Sequence, residues 1–157
     1  MPMFGCATAN TIFVGESYAQ ENYKKIYKVT RYSLFILAFW FTALFLLLNF
    51  FTAEIAGIIT QSNVVQSLTV MVLPIALMAQ LFNYYLNIYK STLQCIGFEK
   101  WTLLVTFVTN IFTLLIIFLF GKNLPYIYII MGVGYLVISL IYTRRLLLLR
   151  HGQRSPK

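Results

Sequence analysis

A short list of polar side chains interrupts an otherwise apolar chain, and their types limit the chemistry they can perform. Pro74, Gln80, Asn83 and Tyr84 fall inside a segment, 55–89, that carries no charge. Amides and a phenol can hold a ligand through hydrogen bonds, but at neutral pH they neither take up a proton nor carry charge. Proline removes one helical hydrogen bond and bends its helix. Gln80 lies three residues before Asn83 and four before Tyr84, so on a helix the three share a face. Two roles fit: a ligand cavity beside a bent helix, or amides that bond a neighbouring helix. A second polar group follows at Thr106, Thr109, Asn110 and Thr113. Thr106, Asn110 and Thr113 keep helical spacing, which turns them toward a neighbouring helix or a cavity. The candidate cavity residues are therefore Pro74, Gln80, Asn83, Tyr84 and Asn110.

Enzyme chemistry finds no support. The chain has no Asp, so a Ser/His/Asp set cannot form. It has no Gly-rich phosphate loop, and its one histidine, His151, sits in a basic tail. Cys6 and Cys95 give neither metal spacing nor a disulfide framework. No cofactor is implied.

The elements that must position these residues are long and apolar. Of 157 residues, 60% are hydrophobic and 10% charged, where an average soluble domain has about 25% charged residues. A soluble chain of this size has too little interior for that much apolar surface. A bilayer core about 30 Å thick asks for roughly 20 apolar residues per helix. Four segments meet this: 32–53, 65–85, 101–121 and 123–143. The polar piece at 60–63 must be a loop or a short interfacial turn between the first two. Barrel strands would alternate polar and apolar residues, whereas these runs are continuously apolar. The expected fold is all-α, a polytopic membrane bundle of four spans plus a partial N-terminal helix.

Charge sets an orientation. Lys24, Lys25, Lys28 and Arg31 precede the first span, and Glu54 follows it. Lys90 and Lys100 lie between the second and third spans, Lys122 alone between the third and fourth. The tail holds Arg144, Arg145, Arg150, Arg154 and Lys157. Rich and poor alternate, so the positive-inside rule puts the C-terminus in the cytoplasm. The net charge of +8 follows from these flanks, and no separate basic domain speaks for nucleic acid. The organisation read from this is a truncated helix end at 1–18, a basic cytoplasmic loop at 19–31, the four-helix region at 32–143 and a basic tail at 144–157. Residues 1–14 lack the basic start and the cleavage site of a signal peptide. Gly132, Gly134 and Ser139 in the last span permit close helix approach.

Val14-Gly15-Glu16, Phe51-Thr52-Ala53-Glu54, Leu73-Pro74 and the stretch 91–97 follow one another in an order that resembles the last four and a half spans of the multidrug and toxic-compound extrusion (MATE) transporters. Val14-Gly15-Glu16, then Ala19 and Asn22, look like the family's Val-Gly-Gln…Gly-Ala-Gly-Asn loop. Phe51-Thr52-Ala53-Glu54 is similar to its Phe-Thr-x-Asp/Glu turn, and Leu73-Pro74 matches a Leu-Pro in the next helix. Ser91-Thr92-Leu93-Gln94-Cys95-Ile96-Gly97 stands where the family has Gly-x-x-Arg-Gly-x-Gly. Gln94 replaces the usual arginine there, and Ser91 and Cys95 replace glycines. Asn83 falls where many members carry an acid.

The resemblance implies antiport of organic cations or xenobiotics against protons or sodium, by rocking of two related halves. The implied partners are the lipid bilayer, a small organic substrate, a coupling proton or sodium ion, and a second half-transporter. No acid or base lies inside the four spans, where coupled transporters usually keep one. A truncated, non-transporting protein that packs against partner helices is the alternative.

Overall fold

The computed structural model describes residues 2–152. The end of the basic tail, with Arg154 and Lys157, lies outside the described residues, as do the side chains of Arg150 and His151. Six helices follow one another: α1 (Pro2–Ala19), α2 (Tyr23–Phe50), α3 (Thr52–Ile59), α4 (Asn63–Cys95), α5 (Glu99–Phe120) and α6 (Leu124–Gly152). No strand occurs among the described residues. Four helices, α2, α4, α5 and α6, are long and apolar enough to cross a membrane.

The helices outrun the spans read from hydropathy. At 1.5 Å per residue, α2 is about 42 Å long and α4 about 50 Å, against a hydrocarbon core of about 30 Å. The basic stretch 19–31, expected as a loop, is helical from Tyr23 onward. Asn22 makes this possible, because its side chain accepts a hydrogen bond from Lys25 N–H (3.1 Å) and caps the helix. The tail expected from residue 144 is likewise a continuation of α6. A charge ends a hydropathy window, but it need not end a helix whose end stands clear of the lipid. At the other end, α3 fills the start of the link expected between the first two spans, and the chain leaves helix at the Phe51 turn and again at 60–62.

Two turns share one geometry. At the end of α1, Asn22 N–H bonds Ser17 C=O, and at the end of α4, Phe98 N–H bonds Leu93 C=O. Both are six-residue closures that need a left-handed residue just before the donor. Gly97 fills that place with φ +89°, and Glu21 fills the other with φ +53°.

The buried core gathers at the end of the bundle that carries the basic residues. Val14, Ile26, Leu86, Leu93, Ile96, Ile138, Tyr142 and Leu146 form it. Tyr142 is fully buried, and its hydroxyl donates to Thr102 C=O (2.7 Å) and lies 2.7 Å from Thr106 Oγ1. The Arg145 guanidinium stacks over Phe98 at 4.8 Å and Trp101 at 5.6 Å, which ties the end of α6 to the α4–α5 turn. Away from this end, α6 approaches its neighbours through glycine. A Cβ at Gly132 would meet Ala79 Cβ at 3.3 Å, and one at Gly134 would meet Thr113 Oγ1 at 2.6 Å. The most apolar stretch of α5 has no buried residue; Phe112, Leu115, Phe118 and Leu119 stand exposed, as lipid-facing side chains do.

Two outcomes follow for stability, read as the unfolding midpoint in detergent. Replacing Glu21 with Gly should raise stability and Gly97→Ala should lower it, each by about 1 kcal/mol, the cost of left-handed backbone at a residue with a Cβ. Gly132→Leu should cost about 1–3 kcal/mol by forcing α6 from α4, while Gly57→Ala, with nothing within 4 Å of the new carbon, should change little.

Candidate functional site

The polar stripe on α4 forms a ladder. Asn83 Nδ2 donates to Gln80 Oε1 (3.2 Å), and Asn87 Nδ2 donates to Asn83 Oδ1 (3.1 Å) and to Asn83 C=O (2.8 Å). Gln80, Asn83 and Asn87 are half-buried. The bonds leave the Gln80 amide hydrogens and the Asn87 amide oxygen without protein partners among the described residues. The ladder therefore offers donors and acceptors side by side, and no charge. It can hold the polar group of a ligand; it cannot itself release a proton.

The stripe lies between two packed faces of α4. Toward α2, the Tyr84 ring meets Phe41 edge-on at 5.6 Å. Toward α6, Ala79 sits against Gly132. Tyr84 thus packs against a neighbouring helix at its ring, beside the ladder. Pro74 is half-buried, and α4 runs through it without interruption. It has no N–H, so the Val70 carbonyl loses its usual helical donor. Asn110 is exposed and sits elsewhere: it lines a cavity of about 270 Å³ between α5 and α6, with Thr113, Ile117, Met131 and Tyr135. The five candidates therefore divide into a ladder pair (Gln80, Asn83), two α4 neighbours (Tyr84, Pro74) and a separate pocket residue (Asn110).

Sequence reading missed Asn87, although it follows Asn83 by four residues. The span read from hydropathy ends at about 85, and Asn87 falls just past it. It also missed a buried polar knot one turn further on. Asn10 Nδ2 donates to Ser91 Oγ (3.1 Å) and Thr92 Oγ1 (2.9 Å), and Thr92 Oγ1 lies 3.0 Å from Thr30 Oγ1. Asn10, Thr30 and Thr92 are all buried. The knot joins α1, α2 and α4 beyond the ladder, toward the basic end. The hydroxyls of Ser91, Thr92 and Thr30 also bond carbonyls of their own helices. That leaves Asn10 Oδ1 as a buried acceptor with no partner. Beside it, Cys95 Sγ lies 3.6 Å from Thr11 C=O. No group of three or more metal-ligating side chains occurs among the described residues.

Four long apolar helices, one of them carrying a polar ladder, and core packing at one end fit a multi-pass α-helical membrane protein. The particular family follows from comparison: the model described as MatE matches residues 1–119, and the chain belongs to that family of transporters. No curated relative and no solved structure matches it.

Thr92→Val removes an acceptor from Asn10 and a partner from Thr30. It should lower stability by about 1–2 kcal/mol and speed maleimide labelling of Cys95. Thr42→Val is the control, because its hydroxyl is exposed and bonds only the Ala38 carbonyl of its own helix.

Proposed function

We propose that this chain is the C-terminal part of a MATE-type secondary transporter that exports organic cations or other xenobiotics by proton- or sodium-coupled antiport. The observation that carries the proposal is the half-exposed amide ladder of Gln80, Asn83 and Asn87, set within a span of a family-matched helix. A polar group in hydrocarbon surroundings must find a partner. A ladder with spare donors and acceptors suits a passing substrate. Rocking of one bundle against another would open that surface to each side in turn. The alternation of basic and charge-poor links supports a cytoplasmic C-terminus.

Ion coupling divides the labour. Glu16, Glu21, Glu54 and Glu99 all sit at or beyond helix ends. None is in the ladder. The role assigned to this part is substrate contact and helix packing, with the titrating group supplied by a second half-transporter. The same placement of the acids favours the second reading, a non-transporting membrane protein that packs against partner helices.

The two readings separate in proteoliposomes that hold this chain together with a MatE N-terminal half. Imposed proton or sodium gradients should drive ethidium transport, and Gln80→Leu with Asn83→Leu should slow it about tenfold, as expected for losing about 1.4 kcal/mol of hydrogen bonding. Equal ethidium movement with and without a gradient would contradict antiport and favour the packing role.

A further inference from the structure

We infer that the seam between α2 and α4 is a binding site for an anionic phospholipid. A groove of about 650 Å³ opens there, lined by Lys28, Arg31, Leu34, Phe35, Ala38 and Tyr85. That volume lies within the roughly 300–1,000 Å³ of clefts that hold small molecules. The lining is sorted by depth. Lys28 and Arg31 stand at the mouth, in the first turns of α2, where the helix overruns the hydrocarbon. Leu34, Phe35 and Ala38 continue the same stripe into the apolar span. One end therefore suits a phosphate and the other an acyl chain.

The charges at the mouth are free to act. Lys28 and Arg31 are exposed, and neither has a carboxylate partner among the described residues. The Tyr32 ring lies 5.8 Å from Lys28 Nζ and holds that ammonium at the groove. A guanidinium and an ammonium three residues apart on a helix lie on one face; arginine adds a bidentate fork for phosphate. Tyr85 lines the groove from α4, and its hydroxyl makes no hydrogen bond among the described residues, which leaves it free to donate to a headgroup or ester oxygen. Phe35 is 73% exposed beside it, a large apolar surface that only lipid or another apolar chain would cover. Two unpaired cations above an apolar floor favour an anionic lipid over a zwitterionic one. The ladder residues lie on another face of α4, so this site is separate from the proposed substrate surface.

The test uses the full chain purified in detergent and titrated with dioleoyl phosphatidylglycerol, dioleoyl phosphatidylcholine or glycerol phosphate, with binding read by native mass spectrometry. Phosphatidylglycerol should bind more tightly than the other two. Lys28→Gln or Arg31→Gln should each weaken it about fivefold, and the pair about thirtyfold, as expected for basic side chains at an anionic surface. Lys122→Gln, at the opposite end of the bundle, should leave it unchanged. Phe35→Ala should weaken both phospholipids and spare glycerol phosphate, and circular dichroism should show the same helix content in every variant. Equal affinity for the two phospholipids would overturn the site. So would full retention in the double variant. Glycerol phosphate binding as tightly as phosphatidylglycerol would make this an anion site without a lipid chain, and would overturn it too. An acidic protein segment that displaces the lipid at equimolar amounts would assign the groove to a protein partner instead.

Discussion

Hydrocarbon offers no hydrogen bonds, and that constraint orders this molecule more than any single contact. Every polar group within a span must find its partner in protein or in a water-filled cavity. Most hydroxyls do so on their own helix: Thr30, Thr42, Thr69, Thr109, Thr113 and Thr143 each bond the carbonyl four residues back. Those bonds satisfy the side chain without holding two helices together. Among the described residues, the side-chain contacts that join the long helices include Asn10 to Ser91 and Thr92, Thr92 to Thr30, and Tyr142 to Thr102 and Thr106. All lie toward the basic end.

That placement divides the bundle. At the basic end, polar knots, the Arg145 stack on Phe98 and Trp101, and the apolar core join α1, α2, α4, α5 and α6. Toward the other end, helices touch through glycine on α6, and α5 presents its apolar length outward. The amide ladder on α4 begins where the tied region stops. Gln80 and Asn83 lie beyond the knot, and Ser91 is inside it.

The spans themselves were legible because their signal is long and one-sided: some twenty apolar residues admit few other readings. Leu34 to Phe51 needed no tertiary information to be recognised as a helix. The ends were not legible, because hydropathy measures solvent preference while helix ends depend on caps. Asn22 and the turns at Glu21 and Gly97 set the true boundaries. The close approaches of Gly132 and Gly134 could be anticipated from residue size alone. The ladder was half visible through the spacing of Gln80 and Asn83. Asn10, Thr30 and Thr92 were invisible because their meaning lies in pairing across 62 to 82 residues. On α5, helical spacing turned Asn110 and Thr113 toward a neighbour or a cavity, and the two line one pocket against α6, apart from the α4 ladder.

The central claim is that the ladder on α4 faces a water-filled path rather than lipid or a dry interface. Cysteine accessibility tests it most directly. Cys6 and Cys95 would be replaced with serine, single cysteines placed at 80, 83, 87 and 118, and a charged, water-soluble thiol reagent applied to the MatE transporter assembled in membranes. The account predicts labelling of Gln80→Cys, Asn83→Cys and Asn87→Cys, protection of those positions by a transported cation, and no labelling of Phe118→Cys. Ladder positions as unreactive as 118 would contradict it.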